Sequence, residues 1–310
     1  MPLPNRHLTS VLLRREGEVF LFDCGEGTQV SLRRLNLKWK KISAILISHT
    51  HADHVTGLPG MLMLSSQVER DDPLVVIGPP RIAEYIEANR RTLEMYINFE
   101  IQVREIADPA KPQAVYRGAD FTIYAFPLKH TRVCVGYSLV EEDRPGRFDP
   151  RAATELGVPR GPLWSELQSG NSVELNDGTV VQPGAVLGPA RPGRKFSFVT
   201  DTLPIAEIPQ HIKDSDLLIM EGMFTRDLTE TAYAKRHMTA ADAGRLAREA
   251  GGVKRMGLIH YSPRFTRSQL DALEREARAE FESAFLTRDR MHIDIPYADA
   301  QRDDDSAAGA

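Results

Sequence analysis

Apolar residues fall along this chain in short runs separated by polar, Pro- or Gly-containing stretches. Eight runs stand out: "EVFLFD" (18–23), "SAILIS" (43–48), "PLVVIG" (73–78), "FTIYAFPL" (121–128), "VCVGYSLV" (133–140), "KFSFVTD" (195–201), "SDLLIMEG" (215–222) and "RMGLIH" (255–260). Their shortness and their β-branched and aromatic content predict buried strands. Helical periodicity appears between some of them. "PPRIAEYIEANRRTLEMY" (79–96) opens on prolines suited to a first turn. "TAADAGRLAREAGG" has a capping Thr239, an apolar stripe and a stop at Gly251. "SQLDALEREARAEFESAF" (268–285) predicts a long amphipathic helix starting at Ser268. Strands alternating with helices, with some hairpin-like pairs, indicate an α/β sandwich.

One segment breaks the pattern. From Asp143 to about Lys195 the chain is rich in Pro, Gly and charge and has only short apolar pieces. So long a stretch without a core-building pattern reads as an insertion with a job or as a flexible linker. Its seven basic and six acidic side chains nearly cancel, but the basic ones cluster at its two ends. Arg33, Arg34 and "LKWKK" (37–41) are further basic candidates, equally well read as a solvated face. No internal repeat is visible. The tail "QRDDDSAAGA" is acidic and small, and is expected to be disordered.

Composition narrows the class without deciding it. At 310 residues, 42% hydrophobic and 26% charged, the chain has enough material for one large α/β domain or two smaller ones. No apolar run approaches the roughly 20 residues of a membrane helix, and the N-terminus lacks a signal-peptide layout. Cys24 and Cys134 are too few for a disulfide framework. A cytoplasmic location is the simplest expectation. The net charge of −4 argues against a broadly basic nucleic-acid binder but leaves room for a local patch.

The chemistry lies in "ISAILISHTHADHVTGLPG" (42–60), where His49, His51, Asp53 and His54 crowd together just past a predicted strand. His130 follows the strand 121–128, Asp201 closes 195–201 and His260 closes 255–260. Four strands therefore deliver metal-ligand residue types at their C-terminal ends, where layered α/β folds bind ligands. In extended chain, residues i and i+2 point the same way, so His49 and His51 can share one metal. The turn after Ala52 sends Asp53 and His54 toward a second. His130 can complete the first set and His260 the second, and Asp201 can bridge both. Imidazole with carboxylate suits zinc, with manganese or iron as alternatives, and two such ions would activate water at neutral pH. His7, His211 and His292 lack strand-end partners and read as surface or core histidines.

These motifs resemble the metallo-β-lactamase superfamily and, within it, the ribonuclease Z (tRNase Z) family. The likeness runs over nearly the whole chain: "FDCGEGTQ" (22–29), "SHTHADHVTGLPG" (48–60), "GPPRIAEYI" (78–86), "PLKHT" (127–131), "GPARPGRKFSFVTDT" (188–202), "HMTAADA" (237–243) and "HYSPRF" (260–265). It implies a four-layer αββα sandwich over 1–302, an inserted flexible arm at 143–195 that grips tRNA, and a disordered tail at 303–310. It implies two Zn2+ per subunit (Mn2+ or Fe2+ as alternatives). His49, His51, His130 and Asp201 would hold one, and Asp53, His54, Asp201 and His260 the other. Asp53 would also be the proton acceptor, His237 a second catalytic histidine, and Glu221 the carboxylate that orients it. Arg264, with Arg191, Arg194 and Lys195, would contact substrate. The partners implied are precursor tRNA and a second copy of the chain, without a membrane. The chain departs from the family in beginning at "MPLPNRH", so the family's first strand is expected to be missing and the first sheet weakened. Met238 also stands after the late histidine, where the family often has Ser. Two alternatives stay open: a superfamily hydrolase of another small phosphodiester, lactone or β-lactam, and a non-catalytic metal- or RNA-binding scaffold.

Overall fold

The computed structural model describes residue 3, residues 6–37 and residues 39–299, and the tail 301–310 lies outside them. The first sheet opens with a hairpin. Strands β1 (Val11–Arg15) and β2 (Glu18–Phe22) pair antiparallel, Val11 opposite Phe22 and Arg15 opposite Glu18. The two linking residues, Glu16 and Gly17, both take positive φ (45° and 89°), the backbone a two-residue hairpin needs. Strands β3 (Ile42–Leu46), β4 (Leu74–Gly78) and β5 (Ile101–Glu105) then add in parallel, giving the order β1-β2-β3-β4-β5. Among the described residues β1 is the outer edge of this sheet.

Parallel neighbours need crossovers, and these supply helices α1 (Thr28–Arg34), α2 (Ala52–Val55), α3 (Leu58–Gln67) and α4 (Ile82–Thr92). Leu32, Leu58, Met61, Leu62, Ile82 and Ile86 from these helices pack with Ile45 and Val76 of the sheet and with Ile47 just past β3 in one buried cluster.

The second sheet has seven strands. β6 (Gln113–Arg117), β7 (Phe121–Lys129) and β8 (Val133–Glu141) form one side, and β11 (Lys195–Val199), β12 (Leu217–Glu221), β13 (Met256–Ile259) and β14 (Ala284–Leu286) form a parallel run on the other. Helices α7 (Ile208–Ile212), α9 (Ala240–Ala250) and α10 (Arg267–Glu280) cover its outer face through Ile208, Ile212, Leu246, Leu273 and Ala277. A short helix α8 (Thr229–Ala234) lies between β12 and α9. The inner faces of the two sheets meet through Phe22, whose ring centroid lies 5.2 Å from that of Phe196 and 5.7 Å from that of Phe198. The Tyr137 hydroxyl donates to the Ile47 carbonyl at 2.6 Å across the same interface. This is the αββα sandwich the motifs imply.

Helix α9 starts and stops where the sequence predicts. Thr239 and Asp242 form a reciprocal capping box, a feature of about 1 kcal/mol. Helix α10 departs from the prediction at both ends. Thr266 caps it, so it begins at Arg267, and it stops at Glu280 because Phe281 turns extended (φ −145°). The residues predicted to finish the helix instead form β14, with Ala284 buried. Among the described residues no helix is long and apolar enough to cross a membrane.

The chain divides into two compact units. Among the described residues, unit 1 takes those up to 118 with 122–139 and 195–294, and unit 2 takes 119–121, 140–194 and 295–299. The segment read as poor in core pattern has a small core of its own. Helices α5 (Pro150–Glu155) and α6 (Pro162–Gln168) and the ribbon β9 (Val173–Glu174) with β10 (Val180–Val181) bury Ala153, Val158, Leu167, Val173, Val181 and Val186. Phe148 and Trp164 pack against this core, their ring centroids 5.0 Å apart.

Candidate metal centre

All seven residues expected to hold metal lie in unit 1, and the strand ends bring them together. His49 comes three residues after β3 and is fully buried. His51 is extended (φ −71°, ψ 151°) and caps α2, whose first turn carries Asp53 and His54. His130 directly follows β7, Asp201 lies two residues past β11 and His260 directly follows β13. His260 takes φ +63°. For a non-glycine residue this left-handed backbone costs of order 1–3 kcal/mol, which the surroundings must offset.

The donors form two groups. In the first, His49 Nε2 lies 2.9 Å and His130 Nε2 3.2 Å from His51 Nδ1, and both face Asp201 Oδ2 at 3.6 and 3.7 Å. In the second, His260 Nε2 lies 3.2 Å from both His54 Nε2 and Asp53 Oδ2. Asp201 turns its other oxygen to this group, Oδ1 lying 3.4 Å from His54 Nε2 and 3.4 Å from His260 Nε2. His49, His51, His130 and Asp201 offer ligand atoms within 4.8 Å of one another, as do Asp53, His54 and His260, and as do Asp201, His237 and His260.

The outer faces of the rings show what the inner faces offer. His54 Nδ1 meets Asp23 Oδ2 at 2.7 Å, and His130 Nδ1 meets the Arg236 carbonyl at 2.9 Å. His49 Nδ1 lies 3.0 Å from Ser48 Oγ, whose own proton goes to Asp23 Oδ2 at 2.8 Å. All three rings therefore turn Nδ1 outward to an acceptor and Nε2 inward; burial opposes charge on His54, yet Asp201 and Asp23 raise its pKa. Ring nitrogens and carboxylate oxygens of this kind, converging within the span of a single ion, are the donors a divalent metal takes, so the donor set fits metal. Burial pushes His49, His51 and His130 toward the neutral, ligating form. Burial opposes charge on Asp53 and Asp201, yet the histidines facing them hold both below the usual carboxylate range.

Asp23 is the functional residue the sequence reading passed over. It accepts from the Ser48 backbone N–H at 2.7 Å and from Ser48 Oγ, and it holds His54, so one buried carboxylate fixes two of the ligand rings. The signal was present, because Asp23 ends a predicted strand as Asp201 does. "GLPG" also gains a physical role. A Cβ on Gly57 would lie 2.2 Å from the Gly25 carbonyl oxygen and 2.8 Å from that of Cys24, so only glycine lets the metal loop pack on the Asp23 turn.

His237 adjoins both groups. Its ring centroid is 4.9 Å from that of His130 and 5.5 Å from that of His260, and its Nε2 is 3.9 Å from Asp201 Oδ2. Its Nδ1 meets Glu221 Oε1 at 3.2 Å, and the Thr202 N–H donates to the same oxygen at 2.6 Å. Burial opposes a charge on His237, but the Glu221 carboxylate, with Asp201 and Asp53, more than offsets it and the ring's pKa is raised. Arg264 places its guanidinium 5.2 Å from the Phe224 ring centroid, and that ring lies 6.4 Å from His237.

The remaining basic residues expected at the substrate have internal partners. Arg191 donates to Asp299, Arg194 donates twice to Glu141, and Lys195 donates to the Lys213 carbonyl. His7 faces Asp289, His211 stacks on Phe126 and His292 pairs with Asp294.

Comparison with known proteins follows the same direction. A family model described as "Anti-Pycsar protein Apyc1" matches residues 5–141, under half of the chain. Ribonuclease Z of Treponema pallidum (strain Nichols) is 59% identical over 297 residues, covering 96% of this chain and 94% of the relative. That of Treponema denticola is 56% identical over 299 residues, covering 96% of each. Among solved structures, human tRNase Z, short form, has a TM-score of 0.69 at 25% identity and 95% coverage of both chains. A metallo-β-lactamase-fold protein of Bacillus subtilis, 18% identical with a TM-score of 0.63 over 93% of this chain and 91% of its own, shares the fold. With strand-end donors set at the mouth of that sandwich and near-full-length identity well above a third, the chain belongs to the ribonuclease Z family of the metallo-β-lactamase fold.

Proposed function

We propose that this chain removes the 3′ trailer from precursor tRNA by hydrolysing one phosphodiester, leaving a 3′-hydroxyl on the tRNA and a 5′-phosphate on the trailer. The observation that carries this reading is the pair of donor groups bridged by Asp201, with His237 and Glu221 beside them, in a chain 59% identical to a ribonuclease Z. His49, His51, His130 and Asp201 would hold one ion, and Asp53, His54, Asp201 and His260 the other. When bound, two divalent ions neutralise the phosphodiester and make water a nucleophile at neutral pH. The donor set suits zinc, with Mn2+ or Fe2+ as alternatives.

The chain's own groups move the protons. Asp53, kept ionised by its contact with His260, accepts the proton of the attacking water. His237, its pKa raised by the Glu221 carboxylate on Nδ1, donates in its protonated form from Nε2 to the departing 3′ oxygen. Arg264 offers a fork for a substrate phosphate. The segment 143–195 grips the tRNA body. Because Arg191, Arg194 and Lys195 have internal partners, its phosphate contacts fall to exposed residues such as Arg151 and Arg160. The same reading makes the protein a cytoplasmic homodimer. The test is cleavage of a 3′-extended precursor tRNA with and without chelator, mapping the new 3′ end. A single chelator-sensitive cut just after the discriminator base is expected. Metal-loaded, folded protein that makes no cut would overturn the reading in favour of a small phosphodiester.

A further inference from the structure

Within unit 2, residues 141–148 and 187–194 run side by side as a two-stranded stalk. Arg144 and Arg191 exchange backbone hydrogen bonds at 2.7 and 2.9 Å, the Gly188 N–H donates to the Arg147 carbonyl at 2.9 Å, and the Glu141 N–H donates to the Arg194 carbonyl at 3.0 Å. An isolated two-stranded ribbon is marginal in water. The stalk has a third component, residues 295–299 from the far end of the chain. The Tyr297 ring packs against two guanidiniums, 3.5 Å from that of Arg144 and 4.0 Å from that of Arg194. Asp299 accepts from Arg144 Nη2 at 2.5 Å and from Arg191 Nη1 at 2.8 Å. The Ile295 carbonyl accepts from Arg194 Nη1 at 3.3 Å. Arg144 lies on the outgoing strand and Arg191 and Arg194 on the returning one, so each of these contacts reaches the stalk and two of the residues span both strands.

We propose that residues 295–299 are a clasp that holds the stalk closed, with Tyr297 and Asp299 as positioning residues for tRNA capture by the arm. The arginines are turned inward by this arrangement. Arg194 uses Nε, Nη1 and Nη2 on Glu141 and Ile295, and Arg191 uses Nε on the Pro145 carbonyl and Nη1 on Asp299. A cluster that reads as phosphate-binding in the sequence therefore serves as the seat for an aromatic ring and a carboxylate. Planar guanidiniums suit both partners, since they stack on aromatic faces and fork onto carboxylates. The tRNA-capture part of the proposal rests on the function proposed above; the closing of the stalk does not.

The experiment uses the full chain with Tyr297→Phe, Tyr297→Ala, Asp299→Asn and the double variant Y297A/D299N. Amide hydrogen exchange at Arg144 and Arg191 reads the stalk directly. The double variant is expected to speed exchange at both amides about tenfold, while Tyr297→Phe, which keeps the ring, behaves as wild type. For precursor tRNA the double variant should raise KM about tenfold with little change in kcat, and hydrolysis of bis(p-nitrophenyl) phosphate should be unaffected. Unchanged exchange at Arg144 and Arg191 would overturn the clasp. A lowered KM for tRNA would also overturn it, because Asp299 would then be competing with RNA phosphate for the arginines. If wild type cuts no tRNA, the function proposed above fails, and exchange at the stalk still decides the clasp.

Discussion

The metal centre and the stalk of unit 2 both gather charged side chains from distant points of the chain, and they do so for different ends. At the centre, His49, His54 and His130 turn Nδ1 outward to acceptors and Nε2 inward, so the inward atoms are left to face a cation. At the stalk, Arg144, Arg191 and Arg194 are matched by Glu141, Asp299 and Tyr297. The comparison teaches that clustering of charge does not by itself mark a binding site. What marks one is convergence of ring nitrogens and carboxylate oxygens within the span of a single ion, as at His49, His51, His130 and Asp201.

Perturbations should separate the two regions, and the largest effect should fall at the centre. Asp201→Ala is expected to lose metal from both sites and to lower turnover by about 10³-fold or more, the scale of the several kcal/mol that metal ions supply. Elemental analysis of the purified variant checks this, and full metal occupancy would refute the bridging role. His237→Ala should leave metal content intact and still cost about 10²–10⁴-fold in kcat; unchanged turnover would remove it from the mechanism. Deleting 150–190 reverses the pattern, crippling tRNA cleavage while sparing a small phosphodiester, and equal losses on both substrates would break the division between the regions. Asp23→Asn should weaken metal affinity by about 10–100-fold through the released His54 and His49 rings, as read by competition with a chelating dye. The mildest change is Glu221→Gln. Glu221 raises the His237 pKa, and the acid must be protonated, so activity falls as pH rises through that value. Removing the carboxylate's charge should move the alkaline limb of the kcat profile to lower pH, and a limb that stays in place would detach Glu221 from the acid.

The sequence made the metal centre legible because ligand chemistry restricts residue types, and strand ends fix where those residues fall. His49, His130, Asp201 and His260 each stand just past an apolar run that is a strand in the structure. Strands β5 ("IQVRE") and β6 ("QAVYR") escaped that reading because polar residues interrupt them and their positions are only partly buried. β14 was absorbed into the helix pattern before it, although Phe281 breaks that helix. The core of unit 2 was illegible for another reason. Its buried residues are single ones, such as Val158, Leu167 and Val186, separated by turns and following no one period. The partners of Arg144 and Arg191 stand 155 and 108 positions away, so no local pattern could name them.

The placement of the ligands has a consequence for cohesion. His49, His51, Asp53 and His54 extend from the first sheet, and His130, Asp201 and His260 from the second. An ion held in common by them would be a rivet through the sandwich, and its binding free energy would add to the folding free energy wherever the unfolded chain cannot supply the same ligands. Scarcity of the ion would then shorten the lifetime of the protein as well as slow its turnover, and the two losses would share one dependence on free metal.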